Sequence, residues 1–189
     1  MNGKSALIVS AFWAASLYAA DAHVHGAAKM NLSVDNQEVT IELETPLANT
    51  LSYEHKPQNA EQEKEARQMA ATLRKADKLF IFPPKAECKL VSVELDSDAL
   101  DDDILGNATR HDHDDHDEHD HDDHEHGEHA DLDAEFSFVC HNPKALNKIE
   151  VNLFKFFPNL NEIEAQIVTA NAQSASELTA KSRVITIAK

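Results

Sequence analysis

"AKMNLSVDNQEVTIELET", Ala28 to Thr45, is the stretch that decides the fold. Met30, Leu32 and Val34 stand two apart and share a face, and Val39, Ile41 and Leu43 do the same. A period of two belongs to strands, because successive side chains point to opposite sides of a pleated backbone. Asp35-Asn36-Gln37 is turn material between the two runs, so the stretch reads as a β-hairpin with one apolar face. A lone hairpin is marginal in water, so the rest of the chain must cover that face.

Working outward, Pro46 ends the hairpin and "LANTLSYEHKP" (Leu47–Pro57) is irregular. From Asn59 to Lys78 the period changes. Ala66, Met69, Leu73 and Ala76 recur at three or four residues, which predicts an amphipathic helix of several turns. Glu61, Glu63 and Glu65 near its start and Arg74, Lys75 and Lys78 near its end match the helix dipole. Pro83-Pro84 excludes helix or central strand. Cys88 to Leu95 reads as a strand whose apolar residues change parity at Leu90/Val91, the mark of a bulge. Ala134, Phe136, Phe138 and Cys140 alternate on a further strand. "KIEVNLFKFF" (Lys148–Phe157) reads as another, Pro158-Asn159 as a turn, Glu162–Ala170 as its partner, and Arg183–Ala188 as the last strand.

Strands dominate and most connections are too short for βαβ crossovers. The expected class is α+β: a mainly antiparallel sheet with one long amphipathic helix packed on it, and a long disordered His/Asp-rich insertion in a hairpin. Residues 23–95 and 134–189 are expected to form a single α+β domain, with 96–133 as the insertion. Residues 1–22 read as a signal peptide, with Lys4 as its positive start, the apolar run Ala6–Ala20, and Ala20-Asp21-Ala22 as an A-x-A cleavage pattern. Cleavage there would leave His23 first. The mature chain has no later run apolar enough to span a membrane, so an exported protein in the periplasm is expected.

The formal charge of −17 is local. Seventeen Asp/Glu and one Arg lie between Asp96 and Asp133, leaving the remainder nearly neutral. No basic patch stands out, which argues against nucleic acid or an anionic membrane as partner. Within this region "HDHDDHDEHDHDDHEHGEH" packs eight histidines and ten acids into nineteen positions. The histidines are His111, His113, His116, His119, His121, His124, His126 and His129, at steps of two or three. Such steps let several imidazoles converge on one ion, with carboxylates completing the shell. The donors suit Zn²⁺, with Ni²⁺ or Cu²⁺ as alternatives, and are a poor match for Mg²⁺ or Ca²⁺. A linker needing only charge and solubility has no use for eight histidines. Nothing in the tract fixes its ligands, so a collector or buffer fits better than a catalyst.

A second set of histidines lies outside the tract. His23 and His25 in "HVHGAA" precede the first strand and can meet a ligand from elsewhere, with His55 and Glu54 of "YEHKP" the candidates. The bland alternative is surface or capping histidines, which is preferred for His141 beside Cys140. Cleavage after Ala20 would instead expose Asp21-Ala22-His23, whose amine, amides and imidazole favour square-planar Cu²⁺ or Ni²⁺. Cys88 and Cys140 form an even pair in an exported chain and bracket the insertion, so a disulfide between them is expected. No G-x-S-x-G, H-E-x-x-H or Gly-rich phosphate loop occurs, and nothing suggests an enzyme. Glu42 and Glu44 read as the solvent face of their strand, and the phenylalanines at 136, 138, 154, 156 and 157 as core.

The order "HVHGAAKMNLSVDNQEVTIELETP", "YEHKP", helix, "FPPKAECKL", His/Asp-rich insertion and "FSFVC" resembles the ZrgA family of periplasmic zinc-uptake proteins, over nearly the whole mature chain. The resemblance implies zinc capture in the periplasm and delivery towards an inner-membrane metal transporter. It makes His23, His25 and His55 ordered ligands and the tract an auxiliary one. The alternative function is a passive periplasmic metal buffer or detoxification sink, for nickel or copper as well as zinc.

Overall fold

The alternation of the opening stretch is realised in the computed structural model, which describes residues 24–107 and 130–187. Strand β1 (Ala27–Asp35) and β2 (Glu38–Pro46) pair antiparallel, with Leu32 opposite Ile41. Asn36 takes φ +52 in the turn, a left-handed conformation that Asn tolerates better than most residues. Ala28, Met30, Leu32, Val39, Ile41 and Leu43 are all buried.

The cover for that face comes from several elements. Helix α1 (Ala60–Leu73) buries Ala66, Met69, Ala70 and Leu73. Asn59 caps it, its side chain accepting from the backbone N–H groups of Glu61 and Gln62. A single turn, α2 (Ala76–Leu79), leads into β3 (Phe80–Ile81). Phe80 meets Phe136 edge to face, with centroids 5.0 Å apart. Strand β4 (Cys88–Asp96), the turn α3 (Asp102–Leu105) and β5 (Asp131–Cys140) flank the insertion. The chain then runs through β6 (Lys148–Val151), the turn α4 (Leu153–Phe156), β7 (Glu162–Thr169), β8 (Gln173–Thr179) and β9 (Val184–Thr186). Six strands form one sheet in the order β4-β5-β2-β1-β7-β8, and three form another in the order β3-β6-β9.

The expected α+β class with a long helix is therefore corrected. The described fold is mostly β, in two sheets, and α1 is its one helix longer than a single turn. The apolar spacing from Asn59 to Lys78 does continue, because Ala76 and Leu79 are buried. The helix itself stops at Leu73, since Lys75 leaves helical geometry with φ −92 and ψ 48. At the C-terminal end of the helix the Arg74 guanidinium reaches away from it, donating to the carbonyls of Leu105 and Val93 and to Asn107 Oδ1. A period count sees buried positions; it does not see a two-residue break between them.

Two strand assignments also change. Lys148–Phe157 is not one strand: β6 ends at Val151, and α4 follows because Leu153 and Phe157, four apart, both enter the core. Phe156, on the opposite side of that turn, is exposed rather than core. Nor is Glu162–Ala170 the partner of β6. Strand β7 lies parallel to β1 and antiparallel to β8, so the large sheet contains a parallel pair. The bulge in β4 is present: the register shifts between Leu90 and Ser92 and leaves Val91 exposed.

The insertion is narrower than its composition suggests. Asp96 ends β4, and Leu100, Ile104, Leu105 and Leu132 are buried. Four apolar residues among many acids are enough to draw both roots onto the core. Residues 108–129, which hold the eight tract histidines, lie outside the described residues, as do residues 1–23, with the expected signal segment and His23.

Candidate metal site

The turn that carries His25 is set by its own backbone. Ala27 N donates to Val24 O at 3.0 Å, closing a turn whose third residue, Gly26, has φ +87. That is the arrangement of a type II turn, for which glycine is suited because it lacks a Cβ. A Cβ at Gly26 would also come within 2.5 Å of Asn161 Nδ2. Gly26 O accepts from the N–H groups of Asn161 and Glu162, at 2.7 and 3.0 Å, tying the turn to the start of β7. His25 and Val24 themselves are exposed.

The facing segment, Leu51–His55, is fixed independently. Leu51 and Tyr53 are buried, and the Tyr53 hydroxyl donates to Gln62 O at 2.6 Å. Burial, with Glu65 nearby, pushes that phenol up to about 12, so it remains a donor at neutral pH. Ser52 gives both its N–H and its hydroxyl to the Glu65 carboxylate, each at 2.9 Å. Glu65 belongs to α1, so the helix holds this loop in place.

The two segments meet at one contact. His25 Nε2 lies 2.8 Å from Glu54 Oε1, and the Glu54 side chain is only 12% exposed against 61% for His25. An exposed imidazole thus faces a largely enclosed carboxylate. The next residue, His55, places Nδ1 2.9 Å from Lys56 O. A carbonyl only accepts, so Nδ1 is the donor in this contact, which in the neutral ring leaves Nε2 as the atom with the lone pair. The His55 ring also rests against Tyr53, at a centroid distance of 5.2 Å. Imidazole nitrogen and carboxylate oxygen are donors that suit Zn²⁺.

Of the residues singled out from the sequence, the structure brings His25 to Glu54 and places His55 beside Glu54 in the chain. Among the described residues, no three of His, Cys, Asp or Glu gather closely enough to hold a metal ion. His141 sits exposed just past β5. Cys88 and Cys140 form the expected disulfide, across directly opposed positions of β4 and β5. A family model described as "ZrgA family zinc uptake protein" matches residues 22–187. The chain belongs to this family. It is a family of zinc uptake proteins rather than a known enzyme family. A comparison with individual curated proteins finds no match. No helix among the described residues is long and apolar enough to cross a membrane.

Both roots of the insertion are bonded to segments that flank the His25–Glu54 contact. Ala130 O accepts from Leu47 N at 2.8 Å, and Asp101 accepts from Lys56 Nζ at 3.1 Å. Asp101 and Ala130 thus lie beside the segment that supplies Glu54 and His55. The outward face of the large sheet is acidic, with Asp96, Asp133, Glu44 and Glu164 in one row across the strands, interrupted by Lys29. Burial, then Glu44, Asp131, Asp96 and Asp98, hold the Asp133 carboxyl above its ordinary range. That row borders an open recess of about 1410 Å³. Its carboxylates are spread along a surface, so they contribute a field attractive to cations rather than a coordination shell.

Sequence reading missed the polar residues that build the site. Asn49, Asn159 and Asn161 hold the turn and loops together through backbone contacts. An isolated Asn in an irregular stretch gives no periodic signal that could have marked it.

Proposed function

We propose that this protein captures Zn²⁺ in the periplasm for uptake, with His25, Glu54 and His55 as core ligands joined by His23. The His111–His129 tract collects metal beside them. The observation that carries the reading is the 2.8 Å contact of His25 Nε2 with the enclosed Glu54 carboxylate, in a chain of a zinc uptake family. Two ligands on a tetrahedral zinc with bonds of about 2.0–2.1 Å stand about 3.3 Å apart. The pair is therefore about half an ångström inside that spacing, a difference that the exposed imidazole can take up by a small rotation. The enclosed carboxylate supplies the negative charge that partly offsets a divalent cation.

The position of the roots supports a collecting role for the tract. Ions held between residues 108 and 129 are released next to the segment bearing Glu54 and His55, and an inner-membrane transporter is the recipient that uptake requires. An N-terminal segment read as a cleaved signal, together with the disulfide, fits an oxidising compartment. A passive sink, open to Ni²⁺ or Cu²⁺ as well, is the second reading; it draws on the lack of a three-ligand group among the described residues.

Zinc calorimetry separates the two. The chain from His23 is compared with the same chain carrying glutamine at all eight tract histidines, and with His25→Ala added to that variant. Uptake predicts one stoichiometric site that survives loss of the tract histidines and disappears with His25→Ala. Complete loss of binding with the tract histidines alone would favour the sink.

A further inference from the structure

Neither Val24 nor His25, the first two residues of the turn, is held by the core. Val24 is 59% exposed and the His25 side chain 61% exposed, so apolar burial does not position this segment. What grips it from inside is a carboxamide. Asn49 ends the short 3-10 turn Leu47–Asn49 after β2 and is 2% exposed. Its Oδ1 accepts from Gly26 N at 2.6 Å. Its Nδ2 donates to Ala27 O at 2.8 Å and to Thr45 Oγ1 at 2.9 Å. A backbone N–H only donates and a backbone carbonyl only accepts, so these two contacts fix which end of the amide is oxygen. Thr45, itself 1% exposed, holds the amide in that orientation.

The same short segment continues into the ligands. Thr50 N and Leu51 N both donate to Leu47 O, closing the turn that carries Asn49 directly into Leu51–His55. One stretch of backbone therefore supplies Glu54 and His55 and also clamps the turn that brings His25 to Glu54. We infer that Asn49 is the positioning residue of this zinc site, setting the distance between His25 and Glu54 through the Gly26 and Ala27 backbone. The inference rests on the reading of His25 as a zinc ligand. An aspartate in its place would turn the Nδ2 donor into an acceptor facing Ala27 O, so the chemistry of the amide matters as much as its size.

The test uses the full chain with glutamine at the eight tract histidines, titrated with Zn²⁺ against a chromophoric chelator. Asn49→Ala, Asn49→Asp, Thr45→Val and His25→Ala are compared. Ile185→Val in the small sheet serves as a control that lowers Tm away from the site. Outer residues that orient a metal ligand are worth about 10–100-fold in affinity. Asn49→Ala and Asn49→Asp are expected to weaken zinc within that range and Thr45→Val by less, while Ile185→Val lowers Tm and leaves affinity unchanged. If His25→Ala abolishes binding and all three clamp variants keep the parent affinity, the inference is overturned and the zinc site stands. If His25→Ala itself keeps the parent affinity, the zinc site is wrong and the inference falls with it. Should Asn49→Ala fail to fold, Asn49→Asp and Thr45→Val decide by the same criterion.

Discussion

Removing the Cys88–Cys140 disulfide tests how the insertion is accommodated. The two cysteines lie opposite each other on β4 and β5, and Cys140 N also donates to Gln37 O at 2.7 Å. Sheet pairing brings them together whether or not they are bonded, so the bond acts chiefly on the unfolded chain. It closes a loop of sequence separation 52. In the chain-entropy treatment a loop of that length is worth about 4 kcal/mol at 25 °C, or roughly 10 °C in Tm for a chain of this size. The dependence on length is logarithmic. Deleting 111–129 takes nineteen positions out of the loop, which lowers the disulfide's contribution by only about 0.4 kcal/mol. The assay is urea unfolding of the parent, Cys88→Ala/Cys140→Ala, the 111–129 deletion, and their combination. The expected result is a loss of about 4 kcal/mol on either background, with a larger m value once the unfolded chain can expand. A loss below about 1 kcal/mol, or one that shrinks by more than half when the tract is removed, would refute the argument. The first would mean that the unfolded chain is already compact, the second that the tract has its own interactions with the fold.

Four further outcomes follow from the geometry. Deleting 111–129 alone should leave cooperative unfolding intact and stability within about 1 kcal/mol of the parent, since both roots carry their own buried residues; loss of a single sharp transition would show that the tract is part of the fold. Gly26→Ala should cost about 1–3 kcal/mol in urea unfolding, from the positive φ together with the contact at Asn161; an unchanged midpoint would mean that the turn is free to rearrange. Asp133 has a folded pKa above its unfolded value, so stability falls as pH rises from the unfolded value through the folded one. Asp133→Asn should accordingly raise Tm at pH 7, less so in high salt, with the gain vanishing in acid below the ordinary carboxylate range; a gain equal at all pH values would remove charge as its cause. Tyr53, raised to about 12, binds its proton more tightly folded than unfolded, so stability should decline between about pH 10 and 12, and Tyr53→Phe should flatten that decline. The check is chemical unfolding across that range, and identical slopes for the two proteins would count against it.

The sequence by itself determined the β1/β2 hairpin, the β5 face and the β4 bulge. Alternation is a local property, and each of those faces is buried by whatever lies opposite. Charge and histidine density likewise marked the tract, and the even cysteine pair marked the disulfide, because composition and spacing carry those signals. Tertiary structure decided the rest. Strand β7 pairs with β1 and not with β6, and the Glu162–Ala170 pattern is the same in either case. The helix stops at Leu73, where Lys75 departs from helical geometry and the Arg74 side chain is bonded to carbonyls of β4 and α3, partners 19 and 31 residues away. The site is the clearest example. His25 and Glu54 were each visible as residues of metal-binding type, but their 2.8 Å contact exists because Asn49 and Glu65 pin two irregular segments from behind. Hydrogen bonds between distant polar groups leave no periodic trace in a sequence, and here they are what brings the two side chains together.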